Sequence, residues 1–281
     1  IKYYNRLQKM INKGRDSMIF RPDYMQAIKA FKDKPLVKIL TGVRRCGKST
    51  IFLMLREELI KEGVSEKDII EKRYTDMDIP ENITAKQMYD ELIEAIGDKK
   101  HCYLLLDEIQ EVPDWERAVN NLLECGKADI YITGSNSKLM SSEISTYLTG
   151  RYIQIPVFTL SFREYIDFKK DSRKSKTELL EEYIRFGGFP IIALGEYEPQ
   201  QAYQIVNGIY YTVVSRDIVK RHRINKQDLF DRVVKYIIEN VGKTFSANSI
   251  SNFLKSEHRK VSVESIYNYL RWLEQAFIIY P

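Results

Sequence analysis

Apolar residues along this chain fall into two alternating patterns. Residues 35–41 form a short apolar run closed by Gly42, which predicts a strand. Over 49–63 the apolar positions Ile51, Leu55 and Leu59 recur every four residues and a glycine ends the run, which predicts a helix. Residues 74–77 read as a second strand, approached through 66–72. Helical spacing returns over 84–96, with Met88, Leu92, Ile93 and Ile96 on one face and Gly97 as the stop. A strand of buried type over 101–106 delivers Asp107. It is followed by a helix over 115–125 whose face carries Ala118, Leu122 and Cys125. Two more strands are predicted at 129–133 and 152–157.

Strands alternating with helices over about 120 residues predict an α/β fold, a parallel sheet with helices on both faces. Past Phe158 the pattern turns helical: 162–168, 178–186, 200–220 and 226–241, with Gly187-Gly188-Phe189-Pro190 as a break. Two shorter helices at 245–254 and 261–276 end the chain, the first with Ile250, Phe253 and Leu254 inward. The second turns Val263, Ile266, Leu270 and Leu273 inward, and a strand is expected at 277–280. Helix, turn, helix and strand begin a winged helix whose hairpin is incomplete, so the expectation is a chain that stops inside a longer protein. The expected division is a P-loop ATPase core at 1–158, a helical lid at 159–242 and a winged-helix-like segment at 243–281.

Composition narrows the class without naming it. No apolar run approaches the roughly 18 residues that span a bilayer, and the first fourteen residues lack the apolar core of a signal peptide. A cytoplasmic protein with no membrane partner is expected. Cys46, Cys102 and Cys125 have no CxxC spacing, and the three histidines are scattered, so neither a disulfide framework nor a metal cluster is indicated. The 44 basic and 39 acidic residues leave a net charge of +5, which permits an anionic partner without demanding one. Local clusters at Lys220-Arg221-His222-Arg223 and His258-Arg259-Lys260 read equally as solvated helix ends.

The chemistry is concentrated after the first strand. Gly42-Val43-Arg44-Arg45-Cys46-Gly47-Lys48-Ser49, followed by Thr50, satisfies the Walker A pattern between a predicted strand and a predicted helix. Glycines let the backbone wrap phosphate oxygens, and loop N–H groups with the helix N-terminus face the anion. Lys48 reaches the β and γ phosphates of ATP, while Ser49 offers a hydroxyl to Mg²⁺. The side chains of Arg44 and Arg45 are expected to project away from the phosphates. Cys46 reads either as an accessible thiol whose thiolate is favoured by the helix N-terminus and its arginine neighbours, or as a small buried side chain beside the loop. An apolar strand ending in Asp107-Glu108 is the Walker B arrangement: Asp107 for the magnesium, Glu108 to polarise the attacking water.

Weaker candidates follow. The strand through Ile132-Thr133-Gly134 ends in Ser135 and Asn136, either of which can reach a γ-phosphate or simply cap the next helix. Arg151 can stabilise charge on the transferring phosphoryl group, in its own or a neighbouring subunit, or make a surface salt bridge. Asn225-Lys226-Gln227-Asp228 matches the guanine-reading NKxD pattern but follows a basic stretch rather than a buried strand, which argues against GTP specificity.

Taken as a set, GVRRCGKST at 42–50, LLLDEIQ at 104–110, ITGSNSKL at 132–139, LTGRY at 148–152, FREY at 162–165, GGFP at 187–190 and SRDI at 215–218 carry a resemblance. The chain resembles the prokaryotic AAA-family P-loop ATPases of the AAA_14 type with a following DUF4143 region. The resemblance implies an AAA+-like core, a helical lid and a winged-helix segment. It also implies a sensor role for Ser135 or Asn136 and an arginine-finger role for Arg151. Three functions compete: an ATP-hydrolysing switch or motor acting on a macromolecule, a small-molecule kinase, and a nucleotide-dependent protein-interaction module. Partners admitted by these readings are duplex DNA or another protein at the C-terminal segment, and further copies of the chain.

Overall fold

The computed structural model describes residues 19–134, 147–259 and 261–280. Five strands form one parallel sheet: β1 (Val37–Thr41), β2 (Ile69–Arg73), β3 (Cys102–Asp107), β4 (Ala128–Gly134) and β5 (Tyr152–Pro156). Their spatial order is β2-β3-β4-β1-β5. Alternate residues of β3 serve opposite cores: Tyr103 and Leu105 face one apolar cluster, Cys102, Leu104 and Leu106 the other. Both faces are covered, which is why these strands read as continuous apolar runs.

Helices α1 (Pro22–Lys29) and α2 (Lys48–Lys61) contribute to the first cluster; α3 (Ala85–Ile96) and α4 (Trp115–Glu124) contribute to the second. A capping box fixes the start of α3, with the Thr84 hydroxyl accepting from the Gln87 N–H while the Gln87 side chain accepts from the Thr84 N–H. Beyond β5 the chain is helical: α5 (Phe162–Phe168), α6 (Lys176–Phe186), α7 (Pro190–Leu194) and α8 (Pro199–Thr212). A π-helical stretch, Val213–Val219, continues α8 into the short α9 (Lys220–His222). Three helices complete the described chain: α10 (Gln227–Glu239), α11 (Ala247–Ser256) and α12 (Val263–Gln275).

Two expected strands are corrected. The second strand is Ile69–Arg73, and 74–77 is a turn after it. Its run of Glu71, Lys72 and Arg73 looked like an approach because β2 pairs on one side only, with β3. An edge strand tolerates charge that a central strand excludes. Residues 277–280 make no strand: Phe277 takes a left-handed turn (φ 59°) after α12, and among the described residues no strand pairs with the segment that follows. Cys125 closes α4 exposed rather than on its inner face. The helix expected over 200–220 is present, but its last third is π rather than α.

The sheet register sets the position of the chemistry. Thr41 lies beside Gly134 and Pro156, and Leu106 beside Ile132. The carboxyl ends of β1, β3, β4 and β5 therefore share one edge, where ligands gather in open parallel sheets.

Candidate functional site

The loop between β1 and α2 is built by close backbone contacts. A Cβ at Gly42 would lie 2.1 Å from the Val157 carbonyl oxygen, so only glycine lets β1 pass the end of β5 into the loop. Gly47 has φ 105°, a left-handed conformation from which α2 begins. Lys48 is buried, and its ammonium donates to the carbonyls of Gly42 (2.8 Å) and Val43 (3.1 Å). Among the described residues no carboxylate pairs with it.

At the adjoining strand end, Ser49 Oγ donates to Asp107 Oδ2 at 2.8 Å. The Thr133 hydroxyl donates to Asp107 Oδ1 and accepts from the Glu108 N–H at 3.1 Å. Arg73 Nε lies 3.5 Å from Asp107 Oδ2. Glu108 adopts a left-handed backbone (φ 54°, ψ 44°), and its carboxylate accepts from the Gln110 amide. A hydroxyl and a carboxylate oxygen sharing one point are hard donors of the kind Mg²⁺ takes. A buried ammonium answered only by carbonyls, at a helix N-terminus, fits a phosphate anion. On both counts the residues suit a magnesium nucleotide.

The remaining loop residues are anchored to the protein. Val43 and Cys46 are buried, Arg45 is exposed with φ 65°, and Thr50 is exposed on α2. Arg44 points out of the loop as expected and grips Asp217, with Nε to Oδ2 at 2.9 Å and Nη2 to Oδ1 at 3.0 Å. Burial disfavours the charge there, but the Asp217 bonds, aided by the fields of Glu108 and Glu111, hold this guanidinium above its usual pKa. Of the two readings of Cys46, the accessible thiolate is overturned and the buried side chain holds. Its side chain is fully buried and desolvation pushes the thiol up, outweighing the pull of Lys48 and Arg21.

Arg151 is not part of the site in its own chain. Its carbonyl accepts from the N–H of Val37 at the start of β1, and its guanidinium pairs with Glu124 at 3.3 Å. That is the amino edge of the sheet, opposite the phosphate loop. Ser135 and Asn136 follow Gly134 and lie outside the described residues.

Several contributors were not read from the sequence. Arg21, only 3% exposed, donates to the Cys46 and Phe158 carbonyls (3.2 Å each) and to Glu164 (2.7 Å), and lies over the Tyr24 ring. It ties the loop to the end of β5 and to α5. The sole local hint was Pro22, a favoured first residue of a helix. Thr133, Gln110 and Asp217 lie inside the segments that carry the resemblance, but no role was read for them; for Thr133 and Asp217 the partners that reveal it lie on other elements.

The geometry agrees with the comparisons to known proteins. Residues 34–166 match the family model AAA_14, an AAA domain, and residues 177–281 match DUF8612, a domain of unknown function. The chain thus belongs to the AAA_14-type AAA-domain proteins and has the AAA+-like P-loop fold, with a second domain of the DUF class behind it. That second domain is DUF8612 rather than the expected DUF4143. An uncharacterized protein of Haemophilus influenzae is 34% identical over 268 residues, covering 94% of this chain and 66% of its own length. One from Methanocaldococcus jannaschii is also 34% identical, over 258 residues, covering 87% of this chain and 56% of its own. This chain therefore spans about two thirds of the first relative and little over half of the second. Among solved structures, Cdc6p from Pyrobaculum aerophilum superposes with a TM-score of 0.45 at 12% identity, over 92% of this chain and 86% of that one.

Proposed function

We propose that the chain binds ATP with Mg²⁺ at the phosphate loop and hydrolyses it, driving a switch or motor that acts on a macromolecular partner. The observation that carries this is the hydrogen bond between Ser49 and Asp107, whose chain neighbours are Lys48 and Glu108. Lys48 moves its three donors from the Gly42 and Val43 carbonyls to the β and γ phosphates. The backbone from Gly42 to Thr50, through Val43, Arg44, Arg45, Cys46, Gly47 and Ser49, supplies N–H groups to the same oxygens. Ser49 and Asp107 are the residues that would hold the magnesium, which would supply positive charge to the oxygens of the phosphates when bound. Glu108 takes a proton from the attacking water while the Gln110 amide orients its carboxylate.

Ser135 or Asn136 is proposed as the sensor of the γ-phosphate, following the strand that ends at Gly134. Arg151, at the far edge of the sheet, is proposed to act on the site of a second copy, which makes the active form a homo-oligomer. The same proposal divides the chain into core, lid and C-terminal segment at 158 and 242.

The C-terminal segment is proposed to contact the partner, and its surface favours a protein over duplex DNA. Arg259 is paired with Asp228, and the exposed residues of α12 include Glu264 and Glu274 beside Arg271.

The test is nucleotide binding together with phosphate release, for the wild type and for Lys48→Ala. Binding and turnover in the wild type, both lost in a folded Lys48→Ala, are expected. Unchanged turnover in the variant overturns the site. Release that depends on an added small acceptor supports the kinase reading instead.

A further inference from the structure

Arg44 and Asp217 stand 173 positions apart and meet through two parallel hydrogen bonds. Such a fork constrains distance and plane together, unlike a point-charge contact. Arg44 is a residue of the phosphate loop, so its backbone moves when the loop moves. Asp217 is 4% exposed and sits inside the π-helical stretch Val213–Val219. In that stretch the hydrogen bonds skip one residue further than in the α-helices on either side. Moving the register by one residue turns the side chains that follow by about 100°, one step of a 3.6-residue helix. A change of that register is a discrete step rather than a gradual one.

Its other side is joined to the C-terminal helices. Val213, Val214 and Ile218 share an apolar cluster with Phe230 of α10, Ile250 of α11 and Ile266 of α12. One turn further, the His222 ring stacks on Trp272 of α12, 4.1 Å between centroids and 10° from parallel. Arg44 feels Asp217 on the helical side and the fields of Glu108 and Glu111 on the core side. Phosphate charge arriving in the loop changes the balance between those carboxylates.

We propose that the Arg44–Asp217 pair is the transmission contact between the phosphate site and the C-terminal helices, with the π stretch as the element it moves. This rests on the nucleotide reading given above. Loop closure on a nucleoside triphosphate displaces Arg44, Asp217 follows, and α10 to α12 move with the π stretch they pack against. The coupling is reciprocal: whatever holds the C-terminal helices in one position changes nucleotide affinity by the same factor.

The experiment is hydrogen–deuterium exchange of the full chain with and without Mg²⁺ and the non-hydrolysable analogue AMPPNP, read over residues 205–223 and 263–276. Analogue binding is measured separately by calorimetry. In the wild type, bound analogue is expected to change protection in both regions by about fivefold or more, the lower end of ordinary coupling. Asp217→Asn, shown folded by circular dichroism, is expected to lose that response. The reversed pair, Arg44→Asp with Asp217→Arg, is expected to recover part of it. Wild type that binds AMPPNP with unchanged protection in both regions overturns the proposal and leaves the phosphate site standing. A folded Asp217→Asn with the full response also overturns it. Absence of any AMPPNP binding removes both the site reading and this one. Should Asp217→Asn not fold, Arg44→Lys takes its place under the same two outcomes, since an ammonium keeps the charge but cannot make the paired fork.

Discussion

Asp107 and Glu108 are neighbours held in different ways. Asp107 is gripped by two hydroxyls, Ser49 and Thr133, while Glu108 is set by its backbone. A left-handed conformation at a non-glycine residue costs about 1 kcal/mol or more. The Thr133 hydroxyl helps maintain it by accepting the Glu108 N–H. The backbone thus leaves β3 in a turn at Glu108, at the carboxyl end of the sheet. Glu108→Gln is expected to bind Mg-ATP as the wild type does and to release phosphate at least about 10²-fold more slowly, the usual contribution of a positioned base. Single-turnover kinetics check this, and near-normal turnover would move the base elsewhere. Cys46, buried with a raised thiol pKa, gives a second expectation at this scale. Iodoacetamide labelling of folded protein, followed by mass spectrometry, is expected to modify the exposed Cys125 and to spare Cys46 until denaturant is added.

At the scale of elements, the phosphate loop is held mainly from outside. Arg21 holds the Cys46 carbonyl, Val157 crowds Gly42, and Asp217 holds Arg44. The crowding at Gly42 involves two backbones, so no side chain can swing aside to admit a methyl group. Gly42→Ala is expected to cost about 1–3 kcal/mol, as overpacking does in a tight core. It is also expected to weaken nucleotide binding, because relief requires β1 and the end of β5 to part. Urea unfolding and calorimetry of the same variant check the two effects. A variant of wild-type stability and affinity would show that the loop has slack here. Capping boxes at Thr84, Ser161, Ser175 and Ser246 show the opposite kind of control, written locally and independent of the rest of the fold.

Over the whole molecule, one apolar cluster runs from α1 and α2 through a face of the sheet to α10, α11 and α12. The loop and the C-terminal helices therefore share a packed interior. No helix among the described residues is long and apolar enough to cross a membrane. The outer surface of α12 carries Glu264, Tyr267, Arg271 and Glu274, and Arg271 is engaged with Asn268 at 2.9 Å. Lys260, the third member of the basic cluster before it, lies outside the described residues. Duplex DNA titrated at low and moderate salt is therefore expected to bind weakly. The slope of log affinity against log salt should be no steeper than about −2, the value for two phosphate contacts. A steeper slope that becomes shallower in Arg259→Ala would restore DNA as the partner of this segment.

The elements written in short-range pattern were legible before any coordinates. The Walker A loop between strand and helix, the apolar strand ending in Asp107-Glu108 and the longer helices from Phe162 onward, to within two residues at each end, follow from periodicity, glycine stops and capping residues; the short helix Pro190–Leu194, read only as a break, does not. Such signals act within a few positions of the chain. The failures share a cause: each concerns a group whose environment is supplied from a distance. The place of β2 depends on its having one neighbour, the state of Cys46 on what covers it, and the reach of Arg151 on which sheet edge it joins. Thr133 between Asp107 and Glu108, Arg21 beneath the loop and Asp217 against Arg44 arise only when strand register and helix packing bring distant residues together. Local sequence carries no record of that geometry, because the energy that selects it is released only on burial.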